Sequence, residues 1–188
     1  MLKGKSAIVT GSTSGIGLGI AEALAAEGVH ILFNGFGDQA EIDKVVADTA
    51  TKFGVKTAYS AADMSKPQDI RAMVKQAEDT FGAVDILVNN AGIQHTATIE
   101  DFPEDKWSAI IGINLTSAFH LTKAVWKGMK ERKFGRIINI ASAHGLVASE
   151  FKSAYIASKH GIVGFTKTIA LEGAPFGITA NAICPGYV

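Results

Sequence analysis

Short apolar and β-branched runs recur along the chain, each followed by a longer stretch with helical spacing. They are Ala7-Ile8-Val9-Thr10, His30-Ile31-Leu32-Phe33, Thr57-Ala58-Tyr59, Ile86-Leu87-Val88, Arg136-Ile137-Ile138-Asn139-Ile140 and Ile178-Thr179-Ala180-Asn181-Ala182-Ile183. Several are continuously apolar rather than alternating, the pattern of parallel strands covered by helices on both faces. Gly28, Gly54, Gly82, Gly135 and Gly177 stand where a helical stretch gives way to the next strand, and a left-handed helix end there suits glycine. In the first helix Ile16, Ile20, Ala23 and Leu24 form an apolar stripe. Ser65-Lys66-Pro67-Gln68 reads as the capped start of the third helix.

This β-α-β-α order, joined by right-handed crossovers, predicts an α/β fold: a Rossmann-type, doubly wound parallel sheet flanked by helices on both faces. Its ligand crevice should lie outside the carboxyl ends of the strands, where the strand order reverses. No linker or repeat interrupts the pattern, so residues 1–188 read as one dinucleotide-binding and catalytic domain. With 47% hydrophobic and 19% charged residues, the chain has enough apolar material for a single core. Lys and Arg number 18, as do Asp and Glu, which leaves no basic excess to attract nucleic acid or an anionic membrane. No apolar stretch approaches the ~18–20 residues of a membrane span, and the start lacks the apolar segment of a secretory signal. A soluble, cytoplasmic protein is expected. The single cysteine, Cys184, has no internal disulfide partner and reads as a small buried side chain beside Pro185.

Candidate chemistry begins after the first strand. In Thr10-Gly11-Ser12-Thr13-Ser14-Gly15-Ile16-Gly17 the glycines permit a tight turn and bring backbone N–H groups, at a helix N-terminus, against a pyrophosphate. The spacing of these glycines resembles that of the short-chain dehydrogenase/reductase family. Asn89-Asn90-Ala91-Gly92, directly after the fourth strand, matches the family's second motif, and Asp63 matches its Asp near the adenine. The resemblance implies a nicotinamide dinucleotide held by Gly11, Thr13, Ser14, Gly15, Ile16, Gly17, Phe36, Asp63, Met64, Asn90, Ala91, Gly92, Tyr155, Lys159, Pro185, Gly186 and Val188. An acidic residue at the end of the second strand would hold the ribose of NAD, and a cation would hold the 2′-phosphate of NADP. The chain has neither there; it reads Asn34-Gly35-Phe36-Gly37-Asp38, with a neutral Ser14. Missing cations and the nearby Asp38 favour NAD. Phe36 covers the adenosine on one reading and is a ligand-free aromatic on another.

Hydride transfer at a hydroxyl-bearing carbon needs a group that takes or returns the hydroxyl proton. In Tyr155-Ile156-Ala157-Ser158-Lys159, Tyr155 and Lys159 are four residues apart and so share a helix face. A phenol ordinarily ionises near pH 10, and a cation within ~4–6 Å brings it ~1–3 units closer to neutrality. Such a pair alone more often marks an ordinary helix surface, and its context decides otherwise. Ser142 follows the fifth strand thirteen residues before Tyr155, as in the family, where it would hydrogen-bond the substrate oxygen. By the same resemblance Asn114 continues a proton relay through Lys159, and Pro185-Gly186 lies beside the nicotinamide.

Gln94, His144 and Lys152 flank the expected position of the reacting carbon. An amide, an imidazole and an ammonium around one pocket suit a small carboxylate, although each alone could be a loop residue facing water. In these residues and in Val147-Ala148-Ser149-Glu150-Phe151-Lys152-Ser153-Ala154-Tyr155 the chain resembles the family's bacterial 3-hydroxybutyrate dehydrogenases. That resemblance implies oxidation of (R)-3-hydroxybutyrate to acetoacetate, with Tyr187 where some of those enzymes carry tryptophan. It also implies a homotetramer, and a further strand and substrate-covering helices beyond Val188. Two alternatives stay open: an NADP-dependent 3-oxoacyl or other carbonyl reductase, and a non-catalytic dinucleotide sensor.

Overall fold

The computed structural model describes residues 2–186. Its six strands are β1 (Ser6–Val9), β2 (His30–Asn34), β3 (Thr57–Ser60), β4 (Ile86–Asn89), β5 (Gly135–Ile140) and β6 (Ile178–Ile183). The helices between them are α1 (Gly15–Ala26), α2 (Gln39–Phe53), α3 (Pro67–Phe81), α4 (Glu104–Ile111), α5 (Ser117–Arg132) and α6 (Ser153–Gly173). All strand pairs are parallel, in the order β3-β2-β1-β4-β5-β6. The order reverses between β1 and β4, so the crevice opens beyond Val9 and Asn89, as the doubly wound reading expects.

The central strands β1, β2 and β4 bury both faces, while β6 alternates buried and exposed positions and β3 is only half-buried. Ile8, Leu32, Leu87 and Ile137 pack under α3, α5 and α6, while their neighbours Ala7, Ile31, Ile86 and Val88 pack with α1 on the other side. Phe33, Ile31 and Leu32 are fully buried, and such side chains contribute roughly 1.5–3 kcal/mol each. No helix among the described residues is long and apolar enough to cross a membrane.

Three local expectations are corrected. The fully buried residues of α1 are Gly17, Ala21 and Ala25; of the expected stripe, Ile20 and Leu24 pack half-buried against the core while Ile16 and Ala23 are exposed. The helix lies so close on the sheet that only small residues fit beneath it, and Ile16 is left exposed at the crevice. Ser65 does not cap α3: Lys66 holds that position, Pro67 starts the helix, and the Ser65 hydroxyl donates to Asp63 at 2.7 Å. Gly28, Gly54, Gly82 and Gly177 do take left-handed backbone, but Gly135 lies inside β5 and Lys133 makes the left-handed turn ending α5. Gly135 is small for another reason: an added Cβ would stand 2.5 Å from the Met129 sulfur.

Candidate active site

The turn after β1 is built for an anion. Ser14 starts α1 without capping it through its side chain, the first turn carries no acidic residue, and Ser14, Gly15 and Ile16 are exposed. Leu18 N–H bonds back to Ser14, which leaves the donors of Gly15, Ile16 and Gly17 outside the helix ladder, where they and the helix dipole favour a phosphate. A Cβ on Gly15 would meet nothing within 4 Å, whereas one on Gly17 would collide with the Gly11 carbonyl. The loop's residues thus fit a pyrophosphate.

Several residues expected against the cofactor first hold the loop in shape. The Asn90 amide donates to the carbonyls of Thr10 at 2.9 Å and Gly11 at 3.0 Å. The Thr10 hydroxyl accepts from the N–H groups of Asn90 and Ala91, both at 3.0 Å. Thr13 packs on Gly35 and donates to the Phe36 carbonyl at 3.3 Å. Gly92 faces Asn114, whose Oδ1 a Cβ there would meet at 3.3 Å.

At the adenosine end, Asn34 is buried and bridges β2 to Ser60 and Ala62, at 3.0 and 2.9 Å, so it is framework rather than a ribose ligand. Phe36 is 68% exposed beyond it. Asp38 caps α2 by accepting from Glu41 N–H at 3.1 Å. Hydrogen bonds from Ser65 hold the Asp63 carboxyl below the usual carboxylate range. Met64 is buried in the core, which leaves only its backbone to face a ligand.

At the carboxyl ends of β5 and β6 the proposed catalytic residues converge. Ser142 accepts from His144 N–H at 3.1 Å and starts a short 3-10 turn, Ala143–Gly145. That turn presses directly on α6, since a Cβ on Gly145 would lie 2.8 Å from the Lys159 carbonyl. The His144 ring meets the Tyr155 ring edge-on, with centroids 6.2 Å apart. Lys159 is 5% exposed; its Nζ donates to the Ile140 carbonyl at 2.7 Å and lies 5.5 Å from the Tyr155 ring centre. Burial draws its ammonium down to about 8, with neighbouring Cys184 working against that shift.

Asn114 sits in a π-helical turn, Gly112–Thr116, between α4 and α5. Such turns are rare and frequent at functional sites. Its amide clamps the Ile93 backbone, accepting from N–H at 2.8 Å and donating to C=O at 2.9 Å, and also donates to Ser158 at 3.2 Å. Asn114 therefore meets α6 through Ser158, next to Lys159. Lys152 starts α6 half-buried, and Gln94 is exposed two residues beyond Gly92. Pro185 accepts from Ala143 N–H at 2.8 Å, tying the end of β6 to the Ser142 turn, and Gly186 is exposed. Tyr187 and Val188 lie outside the described residues.

Sequence reading missed the residues that aim the others: Thr10, Asn34, Gly145, and a buried chain in which Asn89 donates to Asn139 and Asn139 to Thr166, both at 2.7 Å. Polar residues inside otherwise apolar strands were the available signal, because a buried amide must find partners.

The model of the short chain dehydrogenase family matches residues 5–188. The chain belongs to this family and is an oxidoreductase. It is 62% identical over 188 residues to the D-beta-hydroxybutyrate dehydrogenase of Cupriavidus necator, covering 100% of this chain and 72% of that one. The protein of the same name from Rhizobium meliloti is 55% identical over 184 residues, covering 98% and 71%. Among solved structures, NAD+-bound xylitol dehydrogenase superposes with a TM-score of 0.92 at 36% identity, covering 99% of this chain and 71% of that one.

Proposed function

We propose that this chain oxidises (R)-3-hydroxybutyrate to acetoacetate with NAD, Tyr155 serving as general base. The observation that carries the reading is the packing of Tyr155 between a buried Lys159 and the His144 ring, on the turn that Ser142 caps. The likeness to two D-beta-hydroxybutyrate dehydrogenases supports the substrate.

A bound nicotinamide would supply the acceptor for the hydride of the hydroxyl carbon. Tyr155 takes the hydroxyl proton, and Lys159, mostly charged at neutral pH with a value of about 8, lies beside its ring. Ser142 donates to the substrate oxygen as the carbonyl forms. His144, Lys152 and Gln94 receive the carboxylate. Gly15 to Gly17 would hold the pyrophosphate with backbone donors. No Lys or Arg occurs from Ser6 to Asp43, so the loops after β1 and β2 offer a 2′-phosphate no cation, while Asp38 would repel one. This supports NAD.

The test follows NADH absorbance with (R)-3-hydroxybutyrate, its (S) isomer and neutral alcohols, with NAD and NADP in parallel. The (R) acid with NAD should be turned over best. Lys152→Met should raise KM for the acid about tenfold, one charged hydrogen bond's worth, and leave neutral alcohols unaffected. Equal use of neutral alcohols by the wild type would sink the carboxylate pocket, and preference for NADP would favour the carbonyl-reductase alternative.

We also propose that copies assemble as a homotetramer. A groove of about 640 Å³ runs between α5 and α6, lined by Phe119, 45% exposed, and by Lys123, Lys127, Lys130, Glu131 and Glu172. An exposed aromatic ringed by charges of both signs is a face that can pair with its own copy, as a two-fold interface requires. Light scattering should give four chains, and Phe119→Glu should lower the mass; an unchanged mass would remove this face from the assembly.

A further inference from the structure

Phe151 has φ 63, the left-handed region that a bulky side chain rarely adopts. Among the described residues only Lys133, which ends α5, shares this among non-glycines. The ring does not explain it, because Phe151 is 54% exposed. Its carbonyl does: it accepts from Ala97 N–H at 3.0 Å, the one backbone hydrogen bond among the described residues joining the loop after β4 to the loop before α6. Strain of this kind persists only where the surroundings over-determine it, and it gathers at functional sites.

The two loops so joined carry Gln94, three residues before Ala97, and Lys152, the next residue after Phe151. Both loops are anchored at their inner ends. Asn114 clamps Ile93 beside Gln94, and the Lys152 carbonyl accepts from Ile156 N–H at 2.9 Å as the start of α6. The Ala97–Phe151 bond closes the remaining side. Were Phe151 to relax to extended backbone, its carbonyl would turn away and the link between the loops would open.

We infer that the left-handed Phe151 is a positioning residue: its bond to Ala97 latches the loops bearing Gln94 and Lys152, setting their spacing for one carboxylate. This rests on the carboxylate pocket proposed above. The latch belongs to the backbone of residue 151 and not to its ring, which makes it separable by mutation. Valine disfavours left-handed backbone strongly because it is branched at Cβ, whereas glycine adopts it freely. Both remove the ring.

Phe151→Val should raise KM for (R)-3-hydroxybutyrate about tenfold with kcat little changed, and should speed hydrogen exchange at the Ala97 amide. Phe151→Gly should keep both near wild type. If glycine is as harmful as valine, the ring matters and the latch is wrong; if valine matches wild type in KM and exchange, the latch is wrong as well. A wild type that turns over neutral alcohols as readily as the acid would sink the carboxylate reading and the specificity role. Faster Ala97 exchange in the valine variant alone would then still establish the latch as a structural device.

Discussion

Tyr155→Phe should lower turnover of (R)-3-hydroxybutyrate by about 10²–10⁴-fold, the range for a lost acid-base group. The substitution removes one oxygen and leaves the ring that meets His144 edge-on and lies beneath the Lys159 ammonium. Fold and cofactor binding should therefore survive, and NADH affinity read by fluorescence should stay within a few-fold of wild type. The magnitude follows from the geometry. Lys159 is pinned to the Ile140 carbonyl at 2.7 Å, so it cannot swing out to replace the phenol. Ser142 can donate to the substrate oxygen, but a serine hydroxyl is far too weak an acid to be ionised near neutral pH, so it cannot take the substrate proton by itself. Turnover within a few-fold of wild type would move the base elsewhere, and His144, the imidazole beside the Tyr155 ring, would be next to examine.

The apolar runs marked β1, β2 and β4 most plainly because a parallel strand covered on both faces has little choice of composition, whereas β3 and β6 are less covered and were located by the β-α-β order. The chemistry at the strand ends was legible for a related reason: a tyrosine and lysine four apart gain meaning only when a serine leaves the neighbouring strand at the same edge. What stayed hidden depends on contacts distant in sequence. Asn34 stands where a ribose ligand was sought, yet it reaches Ser60 and Ala62 across β3. The burial of Lys159 is set by the Ser142 turn pressing on α6 at Gly145, which no spacing within α6 announces. The face of α1 was only partly legible: Ile20 and Leu24 do pack on the core, but the residues nearest the sheet are small and were not picked out by their hydrophobicity. Here backbone proximity demanded glycine and alanine, and the larger Ile16 was displaced to the crevice. Gly135 was misread for the converse reason: its small size serves the Met129 contact, not a turn.

Lys159→Met should reverse its effect on stability between neutral and strongly alkaline pH. In the folded protein burial holds this ammonium at about 8, against 10.5 for an ordinary lysine. The folded state therefore gives up its proton first, and between those values the unfolded chain binds more protons. By linkage, stability from this group rises as pH climbs from 8 to 10.5. Below 8 the wild type carries the whole cost of a buried charge, on the order of 3 kcal/mol. Methionine removes the charge but also the donor to Ile140, which costs about 1 kcal/mol. The variant should thus be more stable than wild type by roughly 2 kcal/mol near neutrality. Above pH 10.5 it should be less stable, because the neutral amine still donates while methionine cannot. Urea unfolding of both proteins across this range gives the answer in their difference, since titrating groups not coupled to Lys159 cancel. A difference constant with pH would mean that Lys159 is not held down in the folded state. Turnover of the variant should fall even where its stability gains, which is the trade expected when a site keeps a charge that the fold alone would discard.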